Sequence, residues 1–170
     1  MIILVLGGTR SGKSEVAESI AASLGSTVAY VATAAVDPSD ADHTTRVAAH
    51  RARRPAHWST IECEAYADLP RVLREIDSPV LVDSLGTWVT KHPEMNVESS
   101  DLLDALASRV TPAVIVSEEV GLAVHPPSEM GRRYVDALGI LNQQIAEVAD
   151  RVLLVVAGRI LELPHPDEVV

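Results

Sequence analysis

The sequence predicts an α/β fold of three layers, with helices on both faces of a mostly parallel sheet and an antiparallel strand at its C-terminal edge. Short apolar runs alternate with amphipathic stretches along the 170 residues. Hydrophobic residues make up 47% of the chain and aromatic residues only 3%, so the core must consist of Ala, Val, Leu and Ile, which suits a buried parallel sheet. At this length we expect one domain over residues 1–170.

The first apolar run, Met1 to Leu6, predicts a strand that leads into a phosphate-binding loop. The stretch Gly7-Gly8-Thr9-Arg10-Ser11-Gly12-Lys13-Ser14 fits the pattern G-x-x-x-x-G-K-[ST]. In this pattern backbone N–H groups face phosphate oxygens, the lysine reaches the outer phosphates and the hydroxyl binds Mg²⁺. A helix that begins near Lys13 and stops at Gly25 adds its positive dipole end. A chance glycine-rich turn would lack these flanks, so we predict a P-loop fold of the RecA-like type.

Two further strands place candidate ligands at the same edge of the sheet. The run from Thr27 ends at Ala32 and Thr33, beside the phosphate loop if the sheet is parallel. The strand from Pro79 ends at Asp83, in the manner of the acidic residue that holds the Mg²⁺ shell in P-loop enzymes. A strand-end Asp can also be a plain turn cap, but Lys13 and Ser14 upstream favour the metal role.

A basic helix is predicted from the turn at residues 37–40 to the stop at Pro55. Arg46, His50 and Arg53 or Arg54 lie about one turn apart and share a face. Neighbouring cations favour the neutral, nucleophilic imidazole, and the arginines would hold phosphate oxygens near it. Taken alone, these residues favour the simpler alternative of a solvated basic face with an idle histidine.

The rest of the chain predicts the other strands, helices and connections of the α/β fold. Glu62, at the end of a short strand over residues 57–62, is either a ribose or base ligand or an exposed carboxylate. Residues 84–100 predict a long connection with at most one short helical turn, in which an exposed Trp88 would suit a partner surface. Further helices are predicted over 66–76, 101–109 and 129–149, further strands over 112–116 and 151–157, and an antiparallel strand over 160–163.

Charge and cysteine content narrow the class of protein. The formal net charge of −10 argues against nucleic acid and anionic membranes as partners. One cysteine, Cys63, excludes an internal disulfide and suits a reducing compartment. The N-terminal apolar run is too short for a signal peptide or a membrane span. We therefore expect a cytoplasmic protein without membrane insertion.

Several of these motifs together resemble one enzyme family over nearly the whole chain. They are the phosphate loop, Tyr-Val-Ala-Thr at 30–33, the segment from Arg46 that ends in Arg-Pro-Ala-His-Trp at 54–58, Val-Asp at 82–83, Thr-Trp-Val-Thr at 87–90 and Glu-Val-Gly at 119–121. The chain resembles bifunctional adenosylcobinamide kinase and adenosylcobinamide-phosphate guanylyltransferase of cobalamin biosynthesis. The His50 segment makes the match specific, because the phosphate loop alone fits many kinases.

The resemblance implies two reactions. ATP or GTP phosphorylates the aminopropanol hydroxyl of adenosylcobinamide, and GMP then passes from GTP to that phosphate through a guanylylated histidine, matched here by His50. Mg²⁺ is the implied cofactor, held by Ser14 and Asp83, partly through water, and family trimers imply a homo-oligomer. Lys13 and His50 are the implied catalytic residues. Together, the motifs and the resemblance give the following predicted nucleotide-binding residues: Gly7, Gly8, Thr9, Arg10, Ser11, Gly12, Lys13, Ser14, Ala32, Thr33, Arg51, Arg53, Arg54, Glu62 and Asp83.

Some features leave alternatives open. Family members often have Asn where this chain has Glu118, and a second histidine where it has Ala49. Asp83 and Glu119 are both candidates for the kinase base. Without the resemblance, the same residues would fit a P-loop kinase for another small hydroxyl substrate, or a nucleotide switch that transfers nothing.

Overall fold

A single twisted sheet organises the chain in the computed structural model, which describes residues 1–34 and 54–169. Seven strands form it in the order β3-β2-β4-β5-β1-β6-β7. They span β1 Ile2–Gly7, β2 Ala29–Ala32, β3 Ser59–Glu62, β4 Val80–Asp83, β5 Ala113–Glu118, β6 Arg151–Val156 and β7 Arg159–Leu163. All neighbouring pairs are parallel except β6 with β7. The predicted mostly parallel sheet with an antiparallel C-terminal edge is confirmed.

Helices cover both faces of this sheet. They span α1 Lys13–Leu24, α2 Asp68–Glu75, α3 Leu85–Val89, α4 Ser100–Ala107 and α5 Glu129–Val148, with 3₁₀ turns at Pro93–Met95 and Pro166–Glu168. Alternate residues of β1 point to opposite faces, so Ile2 and Leu4 join a core with α2 to α5, whereas Ile3 and Val5 join a second core with α1. The predicted three layers and their aliphatic interior are therefore present.

The connection after β4 differs from its prediction. It begins with α3 directly after the strand, and Trp88 on that helix is only 1% exposed. The Trp88 indole N–H donates to the Tyr66 carbonyl at 2.8 Å, and its ring packs edge-on against His92. The prediction of an exposed Trp88 on a partner surface was wrong, because the segment folds back and buries this ring in the core.

Two further observations bear on the predictions. The predicted basic helix, with His50, Arg51 and Arg53, lies outside the described residues apart from its last positions, Arg54 and Pro55. Within the described ranges, no helix has the length and apolar character needed to cross a membrane.

Candidate active site

The phosphate loop connects β1 to α1 and exposes its backbone at the sheet edge. Gly12 has φ +92°, which favours glycine, and it caps α1 without any side-chain hydrogen bond. A side chain on Gly7 would lie 2.4 Å from Ser11 Oγ and 2.9 Å from the Val155 carbonyl oxygen, so this position has room only for glycine. Gly8, Thr9 and Arg10 are exposed. The loop thus combines a bare helix N-terminus with accessible backbone, the arrangement that binds phosphate groups.

Lys13 lies over this loop and is largely covered. Its ammonium donates to the Gly8 carbonyl at 3.4 Å and lies 3.7 Å from Glu118 Oε1. The side chain is 12% exposed, against 26% for Glu118. Since Glu118 ends β5 and pairs in register with Gly7 of β1, the sheet itself sets this carboxylate beside the lysine.

Asp83 ends β4 at the same edge of the sheet. Its Oδ2 accepts the phenolic O–H of Tyr30 at 2.9 Å. Burial first, and then the charge of Asp83, raise the pKa of Tyr30 far above its usual range, so this phenol remains a donor. The hydrogen bond orients the Asp83 carboxylate. Asp83 and the Ser14 hydroxyl are hard oxygen donors of the type that Mg²⁺ prefers, so their chemistry fits this ion.

Arg54 is the described part of the predicted basic helix. Its guanidinium carbon lies 3.2 Å from the centre of the Tyr30 ring, and Nη1 donates to Thr60 Oγ1 at 3.4 Å. Among the described residues, its buried Nε has no hydrogen-bond partner. Stacking on an aromatic ring is a common arrangement for arginine. It places Arg54 beside the residue that orients Asp83.

The other predicted ligands are spread along the carboxyl edge. Ala32 is partly buried, and the fully buried Thr33 hydroxyl accepts from the Ser84 backbone N–H at 2.9 Å, so it joins β2 to the start of α3. Glu62 is exposed at the end of β3. Four strand spacings separate β3 from β1, about 19 Å across the sheet, so Glu62 can meet only the part of a nucleotide far from the loop.

The structure brings Lys13, Ser14 and Asp83 to one edge of the sheet, as the sequence predicts. Two contributors were not in the predicted site. Glu118 stands beside Lys13, and Gly158, in the turn between β6 and β7, donates its N–H to the Ser11 carbonyl at 2.7 Å. The acidic residues at the end of a strand were the available signal for Glu118. No sequence signal links Gly158 to the loop.

The described residues give little support to a metal site of several protein ligands or to a cysteine nucleophile. In the part of the chain that the structure covers, no group of three or more His, Cys, Asp or Glu side chains could hold a metal ion. The thiol of Cys63 is buried, and burial raises its pKa to about 11, which makes it a poor nucleophile. The phosphate loop and its neighbours therefore form the best candidate active site.

Solved structures of remote sequence have the same fold. The flagellar accessory protein FlaH from Methanocaldococcus jannaschii aligns with a TM-score of 0.51 and 14% identity, covering 94% of this chain and 74% of that one. An ATPase from the type III secretion system of pathogenic bacteria aligns with a TM-score of 0.53 and 12% identity, covering 90% and 50%. At these identities the likeness shows the fold alone, and it confirms the predicted α/β fold with a mostly parallel sheet.

Relatives in sequence are much closer. The bifunctional adenosylcobalamin biosynthesis protein CobP of Pseudomonas aeruginosa is 44% identical over 170 residues, which cover 96% of this chain and 95% of the relative. The protein CobU of Escherichia coli, which has the same description, is 34% identical over 180 residues, covering 93% and 97%. The model of the CobU family, cobinamide kinase / cobinamide phosphate guanyltransferase, matches residues 3–163. Together with the phosphate loop, these matches show that the chain belongs to the cobinamide kinase / cobinamide phosphate guanyltransferase family.

Proposed function

We propose that this enzyme, a kinase and guanylyltransferase by its family, uses one nucleotide site for both reactions. It phosphorylates the hydroxyl of adenosylcobinamide with ATP or GTP. It then transfers GMP from GTP to adenosylcobinamide phosphate, giving adenosylcobinamide-GDP. The observation that carries the proposal is the phosphate loop with Lys13 and Asp83 at one sheet edge, in a chain that the family model matches over residues 3–163.

The kinase half depends on positioning and charge. Lys13 and the loop amides hold the β- and γ-phosphates, and a phosphoryl group passing through a loose transition state needs mainly this stabilisation. Ser14 and Asp83 would hold Mg²⁺, partly through water. The chemistry that this ion would supply is neutralisation of the negative charge on the phosphate oxygens.

The guanylyltransferase half assigns the nucleophile to His50. A neutral imidazole attacks the α-phosphorus of GTP, the P–N bond forms as the bond to pyrophosphate breaks, and the phosphoramidate then passes GMP to the substrate phosphate. Arg51, Arg53 and Arg54 are assigned to phosphate oxygens, with Ala32 and Thr33 beside the nucleotide and Glu62 at its ribose or base. The resemblance of the segment before Trp58 supports these roles.

Location and assembly complete the proposal. We assign the enzyme to the cytoplasm, because its substrates are nucleoside triphosphates and its one cysteine is a free thiol. We assign the active form to a homo-oligomer, because the corrinoid is large for a chain of 18.2 kDa and would bind in a cleft shared between subunits. The family resemblance supports a trimer. Exposed apolar side chains on β7, Ile160 and Leu161, are available for such contacts.

Labelling with GTP that carries ³²P on its α-phosphate tests the nucleophile. We expect wild-type protein to acquire a label that is stable to base and labile to acid, as a phosphoramidate is, and His50→Ala to acquire none. His165→Ala is the matched control, because this histidine lies in the C-terminal segment after β7, and it should label like wild type. A label that survives in His50→Ala contradicts the assignment. Wild-type protein that neither labels nor phosphorylates cobinamide contradicts the proposed function.

A further inference from the structure

Glu118 has a position in the site that the proposed function does not yet use. It is the last residue of β5, the strand that lies between β1 with its phosphate loop and β4 with Asp83. Its Oε1 is 3.7 Å from the Lys13 ammonium, and three-quarters of its side chain is covered. Since Lys13 of a phosphate loop reaches the β- and γ-phosphates, the Glu118 carboxylate lies next to the place of the transferred phosphoryl group.

Two hydrogen-bond donors and the close approach of Gly86 surround the Glu118 carboxylate. Ser84 Oγ donates to Oε1 at 2.9 Å, and the Gly86 backbone N–H donates to Oε2 at 3.0 Å. A side chain on Gly86 would have its Cβ 2.0 Å from Oε2 and 2.6 Å from the Tyr134 hydroxyl. Glycine is a poor helix former, yet it lies within α3, where its missing side chain makes room for the carboxylate.

The backbone behind Glu118 is also held in place. Asn142 on α5 donates its side-chain amide to the Glu118 carbonyl at 3.0 Å. The same amide group accepts the Ser117 hydroxyl at 2.6 Å. Burial, followed by the charge of Glu118, raises the pKa of Tyr134 to about 12, so the neighbouring phenol stays neutral. The carboxylate is thus oriented from the start of α3, and the backbone behind it is held from α5.

A carboxylate at this position repels phosphate oxygens, which would hinder nucleotide binding if it had no other use. We propose that Glu118 accepts the proton of the substrate hydroxyl in the phosphorylation step. The hydroxyl oxygen attacks the γ-phosphorus, and the new O–P bond forms as the bond from that phosphorus to the β–γ bridging oxygen breaks. The nucleoside diphosphate leaves with the bonding pair, and the hydroxyl proton moves to Glu118. This role rests on the proposed kinase function.

The two other carboxylates named as base candidates are already engaged elsewhere. Both Glu119 oxygens accept backbone N–H groups of its own loop, from Gly121 at 2.7 Å and Leu122 at 3.1 Å. Asp83 accepts the Tyr30 phenol at 2.9 Å and is assigned to Mg²⁺. Among the described residues, Glu118 is the carboxylate that contacts the phosphate-loop lysine.

Glu118→Gln tests the proposal, because glutamine keeps the shape and its one carbonyl oxygen can replace Oε2, which lies within hydrogen-bond distance of both Ser84 Oγ (3.2 Å) and the Gly86 N–H (3.0 Å). We expect kcat for phosphorylation of cobinamide with γ-labelled ATP to fall roughly 100-fold, the usual scale for a lost general base, without a rise in the KM for ATP. Labelling of the protein by α-labelled GTP should fall far less, since guanylylation takes no proton from the cobinamide hydroxyl. Damage to the phosphate loop would reduce both. Glu75→Gln is the matched control, because this exposed carboxylate pairs with Arg71 on α2, and it should phosphorylate at the wild-type rate.

A second variant separates positioning from proton transfer. Ser84→Ala removes one donor and leaves the charge, so we expect a roughly fivefold fall in kcat, and no further fall when it is added to Glu118→Gln. If Glu118→Gln fails to fold, a wild-type kcat in Ser84→Ala overturns the proposal.

An unchanged kcat with tighter ATP binding in Glu118→Gln also overturns the proposal, since Glu118 would then only neutralise Lys13. A wild-type protein without kinase activity contradicts the proposed function itself, and an active wild type that Glu118→Gln matches contradicts only the proton transfer.

Discussion

At the scale of single residues, the ion pair of Lys13 and Glu118 beside the phosphate loop is mostly shielded from solvent. The pair of Lys13 and Glu118 is mostly covered, so it differs from surface ion pairs, which contribute about 0–1 kcal/mol. Removing one member of a covered pair leaves the other charge without its partner. We expect nucleotide binding to do this to Glu118 when phosphates attract Lys13, and the donors from Ser84 and Gly86 to remain with the carboxylate.

His92 carries a pH dependence of stability. It is 6% exposed, packs between Tyr66 and Trp88, and its Nε2 has no hydrogen-bond partner among the described residues. Burial lowers the pKa of His92, although a backbone hydrogen bond at Asn96 acts in the opposite direction. Below the unfolded value of about 6.5, the unfolded chain therefore binds more protons than the native protein. The contribution of this histidine to stability is complete above that pH and is lost as the pH falls.

We expect the free energy of unfolding, measured with urea at about pH 7.5 and about pH 5.5, to fall more steeply in wild type than in His92→Gln. His125→Gln is the control, because His125 is exposed on the loop before α5, and it should keep the wild-type dependence. Equal slopes for wild type and His92→Gln would contradict a folded pKa lowered by burial.

Among the elements, the phosphate loop depends on a distant turn as well as on its own glycines. The turn between β6 and β7 touches the loop through the Gly158 N–H, which donates to the Ser11 carbonyl at 2.7 Å. A side chain on Gly12 would lie 3.2 Å from the Gly158 Cα. The antiparallel edge of the sheet therefore supports the conformation of the nucleotide loop.

Gly158→Ala tests this support. Gly158 has φ +73°, where an L side chain costs about 1–2 kcal/mol, although no atom lies within 4 Å of the added Cβ. We expect the turn to shift and the Kd for ATP, measured by calorimetry, to rise up to about tenfold. Gly139→Ala is the control, since its Cβ on α5 also meets nothing and its φ is ordinary. It should leave the Kd unchanged and stabilise the helix by up to about 1 kcal/mol. An unchanged Kd in Gly158→Ala would show that the turn is not needed.

At the scale of the whole molecule, the order of the strands assembles the site. Inserting β5 between β1 and β4 brings the ends of three strands to the phosphate loop. Ligands of open α/β sheets bind at this carboxyl edge. If one nucleotide site serves both reactions, as we propose, loss of the loop and loss of the histidine should have different consequences.

We expect Lys13→Ala to lose both phosphorylation of cobinamide and transfer of GMP, because both need the outer phosphates to be held. His50→Ala should lose GMP transfer and keep most of the phosphorylation. Assays of each variant with cobinamide and with cobinamide phosphate, using γ-labelled ATP and α-labelled GTP, measure the two steps separately. If Lys13→Ala still transfers GMP at the wild-type rate, the two reactions do not share the loop.

Much of the fold follows from local patterns in the chain. The strand, loop and helix over residues 2–24 are contiguous, so their residues specify the phosphate loop without help from distant segments. The aliphatic composition suits a buried sheet, and the predicted strands and helices lie where the described structure has them, apart from α3 directly after β4. The resemblance carried by the motifs identified the family that the comparisons confirm.

Tertiary structure alone decided which distant residues meet. Glu118 looks like an ordinary acidic residue at a strand end until the pairing of β5 with β1 sets it beside Lys13. Gly158 reads as a tight turn until the β6–β1 pairing brings it to the loop. Leu85, Trp88 and Val89 have helical spacing, but α3 has only five residues, too few to show a period, and the burial of Trp88 comes from the core formed with α5. These contacts join residues far apart in the chain, and strand order, which local patterns do not encode, determines them.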